Sequence, residues 1–186
     1  MNAPFRVLSL PGWQGSDAQH WQTRWEALQG HERVEQTDWQ WPRRGDWMAR
    51  LEETVVDSPK GVPIVLVAHS LGCQLVAAWA AHTRHSGRVQ AALLVAPVDT
   101  ERADAPPQIF NWRPLVRQRL PFDSLVVASR NDPYCDERRA VDMAADWGSQ
   151  FVNIGDHGHI NSDSALGDWP QGQGLLRGLL NPSSSS

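Results

Sequence analysis

Residues 62–68 read Val-Pro-Ile-Val-Leu-Val-Ala, apolar at every position, and only His69 separates this run from Ser70-Leu71-Gly72. A strand with one wet face alternates polar and apolar side chains. A run with no polar side belongs where helices cover both faces of a parallel sheet. An alanine-rich stretch of helical period, residues 71–83, follows at once. Strand, tight turn and helix make a βα unit, and the chain repeats it. Strands are predicted at residues 5–10, 33–37, 62–68, 89–95, 124–128 and 151–154. Helices are predicted from Asp17 as N-cap through Leu28, from Gly45 through Val55, and over 71–83, 136–147 and 172–180. The alternation predicts an α/β protein, a three-layer α/β/α sandwich on a mostly parallel six-stranded sheet with right-handed crossovers. The length of 186 residues suits one domain, residues 1–182, followed by a serine tail at 183–186 that reads as disordered.

In such sheets ligands bind beyond the carboxyl ends of the strands, so candidate site residues should follow strands. Several chemistries are set aside first. A net charge of −4 gives no basic footprint for nucleic acid. No apolar run approaches the roughly 20 residues needed to cross a bilayer, and Met1-Asn2-Ala3-Pro4-Phe5-Arg6 has no signal-peptide pattern. The two cysteines, Cys73 and Cys135, have neither disulfide-framework nor metal spacing and read as thiols in a reducing compartment, expected to be the cytoplasm. The first loop, Pro11-Gly12-Trp13-Gln14-Gly15-Ser16, has neither G-x-G-x-x-G nor a Walker lysine, which argues against nucleotide binding. The expected partner is a small molecule, with no metal or organic cofactor.

Ala68-His69-Ser70-Leu71-Gly72 follows the nucleophile-elbow pattern G-x-S-x-G with alanine in the first glycine position. The pattern has a steric cause: the serine sits on a strained strand-to-helix turn, so its neighbours must be small. Alanine meets that demand. The turn also places Ser70 at a helix N-terminus, where the dipole favours a developing oxyanion. The alternative role for Ser70 is a helix cap.

A serine hydroxyl needs a neighbouring base. Of seven histidines, His69 should point to the other face of the sheet, His82 and His85 lie at the far end of a helix, and His20 and His31 come early against the order Ser, acid, His. The glycine-rich loop Gly155-Asp156-His157-Gly158-His159 remains. His159 is preferred, with His157 as its rival, because Gly158-His159 resembles the G-H pair of hydrolase base loops. The acid is read as Asp132, directly after the 124–128 strand and held by Pro133. Its alternative is an Asx turn, and Asp99 is the rival acid. Backbone N–H groups of Leu71 and Trp13 are the expected oxyanion donors, with Gln14 next.

Residues 97–121 break the rhythm, with Phe110 and Trp112 between Pro106, Pro107, Pro114 and Pro121. A stretch that long is either functional or a proline-stiffened excursion. Most of the ten tryptophans read as core filling. Trp13, Phe110 and Trp112 are the candidate substrate-pocket walls.

At Leu10-Pro11-Gly12-Trp13, the 69–72 elbow, Ser129 to Tyr134, Gly155 to Asn161 and the later 165–170 segment, the chain resembles the small serine hydrolase family that includes retinoblastoma-binding protein 9. The resemblance implies a compact α/β-hydrolase core with little or no cap, a triad of Ser70, Asp132 and His159, and an acyl hydrolase. It does not extend to retinoblastoma binding: the nearest run to L-x-C-x-E, Leu71-Gly72-Cys73-Gln74-Leu75, lacks the glutamate. The expected activity is cleavage of a small carboxylic ester. The competing expectations are a non-catalytic binding module on this fold and an acyltransferase.

Overall fold

Alternate side chains of the apolar run enter two different cores, which is why none of them is polar. In the computed structural model, which describes residues 5–181, Ile64, Leu66 and Ala68 pack into one cluster and Val65 and Val67 into the other. They belong to strand β3, Ile64–His69. β3 lies centrally between β1 (Arg6–Leu10) and β4 (Val89–Val95). The remaining strands are β2 (Glu32–Arg33), β5 (Asp123–Ala128) and β6 (Gln150–Asn153). All five pairings are parallel, in the order β2-β1-β3-β4-β5-β6. One face is covered by α2 (Arg44–Val56), α3 (Leu71–Ala80) and α4 (Glu137–Trp147). The other is covered by α1 (Trp21–Gln29) and α5 (Pro170–Leu180). The six-stranded three-layer sandwich is therefore the observed architecture. The serine tail at 183–186 lies outside the described residues. No helix among the described residues is long and apolar enough to cross a membrane.

Differences from the sequence reading are local. β2 is two residues at the sheet edge rather than the run 33–37; with a neighbour on one side only, its pairing ends at Arg33, and Val34 N–H makes a last bond to the Ser9 carbonyl at 2.9 Å. α1 is capped by His20, whose Nδ1 accepts from Gln22 N–H at 3.2 Å, and not by Asp17. Asp17 instead closes an Asx turn, its Oδ1 accepting from Gln19 N–H at 2.8 Å and His20 N–H at 3.1 Å. α3 stops at Ala80, short of residue 83. The 97–121 stretch is anchored and not structureless: it contains the 3-10 helix Pro107–Trp112, and Arg139 on α4 bonds Asp99 and Glu101 within it.

Seven tryptophans, at 21, 25, 47, 79, 112, 147 and 169, are fully buried. An indole that is buried also needs a partner for its N–H. Trp21, Trp25, Trp112 and Trp147 each donate to a backbone carbonyl, at 2.8 Å in every case.

One backbone contact sets how α3 meets the sheet. A Cβ added at Gly72 would overlap the Leu10 carbonyl oxygen at the end of β1. Gly178, inside α5, has nothing within 4 Å of the same position. Gly72→Ala should therefore lower unfolding free energy by at least about 3 kcal/mol through overpacking against backbone. Gly178→Ala should raise it by up to about 1 kcal/mol through helix propensity. Urea unfolding of both variants measures the contrast, and a harmless Gly72→Ala would contradict the packing described.

Candidate active site

β3 runs into α3 through Ser70, whose backbone sits at φ 56° and ψ −117°. Left-handed φ is uncommon for a non-glycine residue and costs about 1–3 kcal/mol. Two features hold it there. The Ser70 N–H donates to the Val95 carbonyl at 2.9 Å, and Gly12 on the first loop lies so close that an added Cβ would stand 2.8 Å from the Ser70 Cβ. The strain turns the side chain out of the helix, and Ser70 makes no capping bond. Its Oγ lies 2.9 Å from His159 Nε2.

His159 Nδ1 lies 2.9 Å from Asp132 Oδ2 and 3.0 Å from Oδ1. The structure thus brings together Ser70, His159 and Asp132, each supplied by the loop after a different strand: β3, β6 and β5. The Asx turn considered for Asp132 is also present, because its Oδ1 accepts from Tyr134 N–H at 2.9 Å. The turn and the imidazole contact coexist on one carboxylate. Asp99 is engaged elsewhere, by Arg139 at 2.9 and 3.2 Å. His157 contributes backbone only: its N–H donates to Ser129 Oγ at 2.9 Å, and its carbonyl accepts from Ser164 Oγ at 2.6 Å.

Ser129 and Asn131 tie the candidate acid loop, which carries Asp132, to the candidate base loop, which carries His159, a role that sequence reading missed. Ser129 Oγ donates to the Gly155 carbonyl at 3.0 Å, and Asn131 Oδ1 accepts from Gly158 N–H at 2.8 Å. Polar residues flanking a candidate aspartate were the available signal. Tyr134 is a second omission; its ring stands edge-on to His159 with centroids 4.7 Å apart.

Over Ser70 lies a cavity of about 320 Å³. Trp13, Leu71, Val98, Pro106 and Ile109 give it apolar wall, while Gln14, Asp17, Asn161 and Asp163 give it a polar one. Trp13 is held by its indole N–H, which donates to the Gln40 carbonyl at 2.9 Å. The structure does not bring Phe110 or Trp112 to this wall. Trp112 is a core residue, bonded to the Pro42 carbonyl and packed edge-on against Trp47. Phe110 is exposed beneath the Arg113 guanidinium, 4.1 Å from its ring centroid. The 3-10 geometry turns Ile109 inward instead. Gln14 is unsuited to oxyanion donation, since its N–H already donates to the Trp39 carbonyl at 3.0 Å.

Two further histidines line the cavity, His69 and His20. His69 does point to the α1/α5 face as alternation requires, yet that face is where the base loop passes. Its ring centroid is 4.6 Å from that of His20 and 4.8 Å from that of His159. Burial pushes the His69 pKa well below the usual histidine range and that of His20 to about 3, so both rings are neutral at neutral pH. Burial also raises the Cys73 thiol well above its usual range, which leaves it protonated beside the elbow. Among the described residues, no group of three or more His, Cys, Asp or Glu side chains is placed to hold a metal ion.

The family model described as serine hydrolase matches residues 7–178 of the chain. No curated protein matches it in sequence. Among solved structures, a YdeN-like hydrolase from Pectobacterium atrosepticum is similar at 26% identity and TM-score 0.78, over 95% of this chain and 89% of that one. The ydeN gene product of Bacillus subtilis is similar at 18% identity and TM-score 0.75, over 95% and 99% of the two chains. Carboxylesterase CesB of Bacillus subtilis is similar at 13% identity and TM-score 0.66, over 98% and 86%. The latter two likenesses establish the fold alone.

The neutral histidines have a consequence for stability. His20 protonates near pH 3 in the fold but near about 6.5 when unfolded. Between those values the unfolded chain binds the extra proton. Stability is therefore complete above about pH 6.5 and falls as pH drops, by about 1.4 kcal/mol per pH unit for one such group. His31, pushed to about 4 by burial, acts in the same direction. Urea unfolding at about pH 5 should show a loss of about 2 kcal/mol from His20 alone relative to about pH 7.5. His20→Asn keeps a capping acceptor and should remove that share; an unchanged pH slope would count against it.

Proposed function

The chain belongs to the serine hydrolase family, and from that membership we propose that it cleaves a small carboxylic ester, or a related acyl bond, through Ser70, His159 and Asp132. The observation that carries the reading is the 2.9 Å approach of Ser70 Oγ to His159 Nε2, with Asp132 on the opposite ring nitrogen. In the first step His159 takes the Ser70 hydroxyl proton as Oγ attacks the acyl carbon. Asp132 orients the ring and stabilises the imidazolium. The tetrahedral oxyanion is held by the backbone N–H groups of Leu71 and Trp13, aided by the N-terminus of α3. As the tetrahedral species collapses, the ester C–O bond breaks and His159 returns the proton to the leaving alcohol. Water, deprotonated by the same histidine, then attacks the acyl-enzyme and regenerates Ser70.

The mixed cavity supports a small-molecule substrate, with Trp13, Val98 and Ile109 contacting its apolar part. A similar structure described as a carboxylesterase is consistent with ester chemistry. The motifs at residues 10–13, 69–72 and 155–161 support the finer placement beside retinoblastoma-binding protein 9. Two free, buried thiols suit a reducing compartment such as the cytoplasm.

A fluorophosphonate probe should label the wild-type protein and leave Ser70→Ala unlabelled. With short p-nitrophenyl esters, Asp132→Asn should lower kcat on the order of 10⁴-fold, because the wrong histidine tautomer is favoured. Equal labelling of wild type and Ser70→Ala would overturn the assignment, and ester turnover separates an enzyme from a binding module. Adding an alcohol or amine acceptor tests acyl transfer: the expected product is the free acid.

A further inference from the structure

Ile160, directly after His159, sits at φ 49°. That conformation is an outlier for a β-branched residue and persists only where the surroundings over-determine it. Its side chain is fully buried in the α1/α5-side core, so the residue cannot swing out to relax. Two ring N–H groups grip the backbone at this point. His69 Nε2 lies 2.8 Å from the His159 carbonyl oxygen, and Trp21 Nε1 donates to the Ile160 carbonyl at 2.8 Å. A carbonyl only accepts, so His69 must carry its proton on Nε2. Both donors are buried, at 5% and 1% exposure, and each is itself wedged. His69 stands edge-on to His20, and Trp21 packs against Trp25 and Trp169 with centroids 4.7 and 5.0 Å apart.

We infer that His69 and Trp21 are positioning residues: by pinning two consecutive carbonyls of the base loop, they set where the His159 imidazole stands relative to Ser70. This rests on the proposed roles of Ser70 and His159. The linkage through His69 is short. His69 is covalently next to the nucleophile, and its ring holds the backbone of the base. The two reacting groups are thus tied on one side by a peptide bond and a single hydrogen bond. Trp21 adds a second tie, from α1. A general base must lie within hydrogen-bond reach of the proton it takes, and displacement of about 1 Å costs on the order of 100-fold in rate.

The test uses the full chain with a short p-nitrophenyl ester and hydrogen exchange of the amides at residues 157–162. His69→Phe keeps an aromatic ring and removes the donor; His69→Gln restores an N–H at similar reach; Trp21→Phe removes only the indole N–H and part of the ring. We expect His69→Phe and Trp21→Phe to lower kcat about 10- to 100-fold with KM changed less than about threefold. Exchange across 157–162 should quicken in both, and His69→Gln should recover most of kcat and of the protection. A folded His69→Phe with wild-type kcat, a fall in kcat without faster exchange, or a His69→Gln no better than His69→Phe would each overturn the inference. Should the wild type turn over no ester, the hydrolase reading fails, and exchange still decides the clamp: quickened exchange upholds it and unchanged exchange refutes it.

Discussion

The N-terminus of α3 rests directly on the end of β1, with Gly72 against the Leu10 carbonyl and no room for a single added carbon. Much else depends on this contact. It lets the helix start immediately beyond the sheet edge, so that Ser70 occupies the gap between strand and helix. It also draws the loop after β1 over that gap, where Gly12 abuts Ser70. A larger residue at either glycine would separate the first loop from the elbow. Ala68 is fully buried and small enough to sit in the centre of the sheet beneath the turn.

Above this frame, three loops are bound to one another by side chains that do not react. Ser129 and Asn131 join the acid loop to the base loop, and Ser162 Oγ joins the base loop to Asp17 on the first loop at 2.7 Å. His20 and His69 add rings without adding charge, because burial keeps both neutral. That neutrality suits the proposed role of His159, in which its ring becomes an imidazolium. A second positive charge at the 4.8 Å separation of the His69 and His159 rings would oppose it by about 3 kcal/mol at an effective dielectric constant of about 20. The negative charge of Asp132 is the one brought into contact with the ring.

Legibility in the sequence followed the range of the interaction. The β3 run, the elbow and the parallel order are written in local patterns, and the structure carries them with small boundary shifts. An aspartate before a helical segment is a general capping signal, yet the Asp17 carboxylate is used by the turn and by Ser162, and His20 takes the cap. Aromatic residues in a proline-rich excursion suit a pocket wall, and that pattern alone points Phe110 and Trp112 to one. Which side of a 3-10 turn faces inward is decided by what packs behind it, here Pro42 and Trp47. Strand alternation puts His69 on the face where the structure has it, but only the path of the loop carrying His159 shows what stands opposite that face.

By itself, then, the sequence determined a parallel α/β sandwich, a strained serine after its best strand, and candidate acid and base on loops after later strands. Those are consequences of periodicity, residue size and chain order, all readable without coordinates. Only the tertiary structure decided that His159 rather than His157 reaches Ser70, that Asp99 is held by Arg139, and that His69 and Trp21 grip the base loop. Each of those outcomes joins residues 40 to 139 positions apart. Contacts at such separations are set by how loops from different strands converge at one sheet edge, which no local pattern encodes.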